Sequence, residues 1–208
     1  MRLLSLLFFV SGFAALVYQV VWQRTLFAIY GINIESVTVV VTAFMLGLGL
    51  GSLAGGAISK DARRPVVLLF ALVEASIGVF GAVSLPLFRA VGQITLALSP
   101  AAVAFVTFLL ILAPTMLMGS TLPLLVAHFT RRSKNVGQSV GLLYFINTLG
   151  SAFASIVAVL VLLPRFGQLS AVHAAVALNL AAALTAFVVH AREKKSAKGE
   201  KKGARVMA

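Results

Sequence analysis

Six apolar stretches, each long enough to cross a bilayer, are separated by loops whose basic residues alternate from side to side, and this pattern constrains the fold more than any other. A helical span needs about 20 apolar residues, rising about 1.5 Å each, to cross roughly 30 Å of hydrocarbon. The runs cover residues 3–29, 34–58, 66–88, 101–128, 139–163 and 168–190. Hydrophobic residues make up 61% of the chain and charged ones 11%, so no water-soluble fold can hide its apolar surface. The expectation is an all-α polytopic membrane protein with six transmembrane helices. One domain spans residues 1–190, followed by a basic tail over 191–208.

The charges set the orientation. Lys60, Arg63 and Arg64 follow the second run, and Arg131, Arg132 and Lys134 follow the fourth. The tail from Arg192 to Arg205 lies on the same side, as does Arg2. The opposite side holds Arg89 and Arg165, with Arg24 near the end of the first run. The positive-inside rule puts both termini in the cytoplasm, as expected of an integral protein of the inner membrane. The net charge of +12 sits beside membrane ends rather than on a soluble face, which points away from nucleic acid and toward topology. The tail is polar and low in complexity, and is predicted to be disordered. Met1-Arg2 and the following leucines resemble a signal peptide, but the apolar pattern continues to Val21 and Trp22, as a retained helix does. With no cysteine there is no disulfide or thiolate metal site. His128, His173 and His190 lack metal-ligand spacing, so no metal or cofactor is expected. No Ser-His-Asp set, phosphate-binding glycine loop or carboxylate pair is recognisable, and the chain does not read as an enzyme.

Gly47, Gly51 and Gly55 recur every four residues, a spacing that lets a second helix backbone approach closely. This strip packs either within the subunit or between subunits. Leu50-Gly51-Ser52 in the second run matches Leu149-Gly150-Ser151 in the fifth, a hint of a 3+3 inverted repeat. Ionisable groups at membrane depth mark functional sites by default. Glu74 and Asn147 each fall about 12 Å into the bilayer, counted from Val66 and Ser139. Thr115 follows the helix-interrupting Pro114, and Asn179 lies near the centre of the sixth run. These four residues are the candidate substrate-binding set, converging on a polar cavity near the midplane. In the bland alternative Glu74 is protonated, or is bonded to Asn147 as structural glue. Tyr18, Gln19, Trp22 and Arg24 read as a structural or gating group, with the aromatics in an interfacial belt, Arg24 reaching water and Glu35 as its partner.

Four segments, in order, resemble the membrane portion of fused major-facilitator/spermidine-synthase-like proteins. They are residues 11–24, from Ser11-Gly12-Phe13 to Trp22-Gln23-Arg24, and 43–52, from Ala43-Phe44-Met45 to Leu50-Gly51-Ser52. The others are 114–123, from Pro114-Thr115-Met116 to Thr121-Leu122-Pro123, and 143–150, from Leu143-Tyr144-Phe145 to Thr148-Leu149-Gly150. That family has Glu where this chain has Gln19. The turn 56–65 is similar to the basic-acidic turn between the second and third helices of major facilitators. The resemblance implies half of a major-facilitator-type body, without the soluble synthase domain or its activity. Full carriers have two six-helix halves around a central path, so a lone half is expected to pair as a homodimer. The first functional expectation is therefore a transporter for a polyamine or another organic cation, with Glu74 taking the cation or a proton. The alternative is a non-transporting membrane subunit that anchors or regulates a separately encoded synthase-like enzyme.

Overall fold

The computed structural model describes residues 2–31, 37–95 and 97–196 with their side chains, and the helical backbone alone at 34–36 and 197–206. The Arg24–Glu35 pairing lies outside the described side chains; of the tail predicted to be disordered, residues 191–196 instead continue α6 as helix. Among the described residues all regular secondary structure is helical: α1 (Arg2–Tyr30), α2 (Ile34–Ser59), α3 (Val66–Thr95), α4 (Pro100–Ser133), α5 (Val136–Val157), a π-helical turn (Ala158–Leu162) and α6 (Leu163–Val206). Local chemistry fixes the ends. Gly31 closes α1 at φ 88°, a backbone angle that glycine adopts without strain. Ser99 caps α4 ahead of Pro100, whose missing donor is harmless in a first turn. Asn135 caps α5 by accepting from Gln138 N at 2.9 Å.

Among the described residues, five helical stretches are long and apolar enough to cross a membrane: Arg2–Tyr30, Val37–Ser59, Val66–Thr95, Pro100–Ser133 and Val136–Ser196. The last stretch is 61 residues long and contains two of the predicted runs. As a straight helix it would reach about 90 Å, some three times the hydrocarbon thickness. It is not straight. Gly167, at φ 74° and ψ 178°, breaks it, and the chain reverses there. Before the break Asn147 reaches Phe8 O and Ser151 reaches Gly12 O, so α5 runs parallel to α1. After it Gln168 meets Thr25, and Asn179 lies at the level of Ser11, so α6 runs back down.

The main packing partners are α2 with α4, α1 with α5, and α3 with α6. The glycine strip of α2 accounts for the first pair. A Cβ added at Gly47 would strike Thr115, one at Gly51 the backbone of Met116, and one at Gly55 the backbone of Ser120. All three glycines are buried inside the subunit, so the strip is a helix seam of the protein's own bundle. Gly119 of α4 returns the contact by seating on Leu48. On the α1–α5 seam Gly150 seats on Phe9 and Gly12 on Asn147.

Candidate functional site

Glu74 is fully buried at the junction of α1, α3 and α6. Ser11 of α1 donates its hydroxyl to Glu74 Oε1 at 2.5 Å. Asn179 of α6 donates its amide to Glu74 Oε2 at 2.5 Å. Both carboxyl oxygens are therefore engaged, and among the described residues no basic side chain pairs with Glu74. Asn179 Oδ1 is buried with no hydrogen-bond partner among the described residues. An acceptor left bare in an apolar interior is unfavourable, so it is a standing invitation to a donor. The cluster thus presents a carboxyl, a hydroxyl and a free amide oxygen, a set suited to a proton or an ammonium group.

Ser11 also opens the cluster to a cavity. It lines a space of about 230 Å³ between α1, α2, α4 and α5, together with Ser52, Thr121, Tyr144 and Asn147. Tyr144 is 63% exposed on the outer face of the bundle at a depth of roughly 12 Å from the start of α5. Ser11 is the only residue of the Glu74 cluster among those that line this cavity.

The four candidate substrate residues separate into three places. Glu74 and Asn179 meet. Contrary to the glue reading, Asn147 does not touch Glu74; its amide donates to Phe8 O at 3.3 Å, where the bare backbone of Gly12 lets it reach α1. It lines the cavity on the far side of Ser11. Thr115 belongs to neither place. Its hydroxyl lies 2.9 Å from Ile111 O and Leu112 O and 3.4 Å from Ala43 O, serving the α2–α4 seam beside Gly47.

The aromatic pair also departs from expectation. Tyr18 and Trp22 are wholly buried rather than placed in a lipid-facing belt. Trp22 donates to Ser84 Oγ at 2.9 Å and packs edge-on against Phe80 and Phe88. Small residues on α3 make this burial feasible, because Gly81 leaves room for the Tyr18 ring. Arg24 is exposed and Gln19 half-buried. Arg24 lies 13 residues beyond Ser11, about 20 Å along α1, which keeps it clear of Glu74.

Ser11 is the residue that sequence reasoning missed, although a signal was present. It lies as far from Leu3 as Glu74 lies from Val66, and α1 and α3 rise in parallel from the same side, as the Trp22–Ser84 contact shows. Equal depth on parallel helices marks a pair.

Over 169 residues, 80% of its length, the chain is 28% identical to polyamine aminopropyltransferase 1 of Streptomyces coelicolor. The likeness is to part of a protein. The chain spans 30% of that relative's length. No protein-family model and no solved structure matches it. Together with the five apolar stretches, this supports a membrane-embedded helical protein distantly related to a polyamine-linked one.

Proposed function

We propose that the protein is a transporter-like homodimer of two six-helix, major-facilitator-like halves in the inner membrane, with both termini in the cytoplasm. The reversal at Gly167 supports two crossings within Val136–Ser196 and hence six in all. A 3+3 inverted repeat finds support in the seams. Gly51 sits on Met116 as Gly150 sits on Phe9, and Gly119 sits on Leu48 as Gly12 sits on Asn147. One sequence offset carries α1 onto α4 in both pairs, and one other carries α2 onto α5. Reporter fusions after Lys60, Arg132 and Lys195 will report cytoplasm, and fusions near Gly92 and Gln168 the outside. Opposite-side signals at Arg132 and Lys195 would mean a single crossing there and would discard the six-span body.

The observation that carries the functional reading is the buried Ser11–Glu74–Asn179 cluster beside a largely apolar cavity into which Ser52, Thr121, Tyr144 and Asn147 bring polar groups. Proton and cation compete for one carboxyl. Ser11 turns its hydroxyl from Glu74 to the cavity, and an incoming ammonium group takes its place, held by Glu74 and by Asn179 Oδ1. Tyr144 and Asn147 carry polar groups on the bundle face at bilayer depth, where a second copy would cover them and complete the path. The relative's name favours a polyamine as the cation, and this six-helix body performs no catalytic step of its own.

Purified protein in liposomes will accumulate a labelled polyamine against an imposed proton gradient, and Glu74→Gln will lower that flux at least about tenfold, the scale of one lost charged contact. Undiminished flux in the variant removes Glu74 from the mechanism. The relative's enzymatic name also favours a second reading, a membrane subunit that anchors a synthase-like enzyme. Absent flux combined with co-purification of such an enzyme would select it.

A further inference from the structure

At the end of the bundle that carries the basic turns, the α2–α3 turn, the last turns of α4 and the α6 helix enclose a second cavity of about 520 Å³. Four cationic side chains line it: Arg63, Arg64, Arg131 and Lys194. The nearby carboxylates are already committed. Glu193, which also lines the cavity, is paired with Arg132, and Asp61 stands 3.9 Å from Arg64 while accepting from Arg63 N. Arg131 is fixed by the carbonyls of Ser59, Asp61 and Arg64 at 3.1, 2.9 and 3.2 Å, none of which neutralises it. Among the described residues the side chains of Arg63 and Lys194 have no carboxylate partner. Positive charge is therefore left over.

Two further features point the same way. His128 lines the cavity, is 8% exposed, and its Nε2 makes no hydrogen bond, standing 3.9 Å from Glu193 Oε1. The 30-residue α3 starts at the cavity with Val66, so its positive end faces any bound anion. Above the cavity, Leu72, Val79 and Val83 of α3 are 55%, 62% and 50% accessible and form an exposed, mainly apolar lane that continues from Leu68 on the cavity wall; Ser76 lies between them with its hydroxyl bonded back to Leu72 O at 2.9 Å. Charge below and hydrocarbon above on one helix match the two parts of a lipid.

We propose that this cavity is a binding site for an anionic phospholipid, its phosphate held by Arg63, Arg131, Lys194 and His128 and one acyl chain lying along the Leu72–Val79–Val83 lane. Basic pockets between transmembrane helices select such headgroups, with each Lys or Arg near the surface contributing appreciably. The site is independent of Glu74 and of whether the protein transports.

The experiment is native mass spectrometry of the full chain with phosphatidylglycerol, with phosphatidylcholine of the same chains, and with inorganic phosphate alone. Phosphatidylglycerol should be retained preferentially. Arg63→Gln and Lys194→Gln should each weaken it about five-fold, equivalent to roughly 1 kcal/mol, with the melting temperature of the lipid-free protein unchanged. Neutralising Lys198, Lys201 and Lys202 in the tail together should leave retention intact. Equal retention of the two lipids overturns the proposal. So does a tail variant as damaging as the cavity variants, which would make the attraction a property of the tail. Inorganic phosphate bound as tightly as phosphatidylglycerol would assign the cavity to free phosphate and discard the lipid.

Discussion

The α1–α3–α6 side of the bundle and the α2–α4 side are held by opposite means. On the first, buried side chains reach across: Ser11 and Asn179 to Glu74, Trp22 to Ser84, Thr25 to Gln168. On the second, side chains are removed, so that Gly47, Gly51, Gly55 and Gly119 bring the two backbones into contact. The difference follows from the solvent. Lipid tails are as apolar as leucine, so helices associate through dispersion at close approach or through polar contacts the lipid cannot offer. The glycine seam tolerates no atoms. The polar seam tolerates changes that keep its hydrogen bonds, and it holds groups able to bind something else. On the function proposed above, α2–α4 is the frame and α1–α3–α6 the working part.

The largest expected effect tests the frame. At Gly51 a new side chain meets the Met116 backbone, which cannot move aside without shifting α4. Gly51→Val should destabilise by at least about 3 kcal/mol, the upper end of overpacking effects, read as a collapse of the melting transition in detergent. Gly49 and Gly56 lie on the same helix with open space where a Cβ would go. Gly49→Ala and Gly56→Ala should be neutral or slightly stabilising, since alanine is the better helix former. Equal damage at Gly49 and Gly51 would mean that glycine acts through α2 flexibility and not through contact with α4.

A smaller effect separates shape from charge in the working part. Glu74→Leu removes both acceptors, leaving the Asn179 amide with neither end bonded, and should lower stability by about 1–2 kcal/mol. Glu74→Gln keeps an acceptor for Ser11, and its amide can donate to Asn179 Oδ1 once that side chain turns over, so the loss should stay below about 1 kcal/mol. Thermal unfolding of the two variants decides. A Gln variant as unstable as the Leu one would show that the cluster needs the carboxylate to fold.

Much of this arrangement was legible in the sequence, for identifiable reasons. Run length and spacing reveal where the apolar helices lie, because hydrocarbon thickness is a fixed ruler. Glu74 stands out since a carboxyl in such a run has few explanations. Its partners are another matter. Asn147 and Asn179 look alike along the chain, and only the rotation of α5 and α6 about their axes, set by contacts with α1 and α3, decides which one reaches Glu74. The glycine strip declares a contact without naming the partner. Tyr18 and Trp22 near a helix end fit a lipid belt or a core equally well, and the small residues that admit them, Gly81 and Ser84, lie on another helix. The reversal at Gly167 follows Pro164-Arg165-Phe166, a breaker sequence that a helical pattern alone does not place to the residue.

The finest contrast lies inside the working part, between two stacked rings whose centroids are 4.9 Å apart. Trp22 Nε1 has an acceptor in Ser84, which itself donates to Gly81 O at 2.7 Å. Tyr18 Oη is buried with no partner among the described residues. Ser84→Ala takes away the indole's acceptor while changing the volume very little, so it should cost about 1 kcal/mol for the orphaned N–H. Tyr18→Phe deletes a group that is already unsatisfied, so stability should hold or rise by a few tenths of a kcal/mol. Melting temperatures of the two variants, measured without ligand, test both signs. If Tyr18→Phe costs as much as Ser84→Ala, the hydroxyl has a partner of its own in the folded protein, such as a bound water. The polar seam would then extend two helical turns above Ser11, and Tyr18 would join Ser11, Glu74 and Asn179 among its hydrogen-bonded groups.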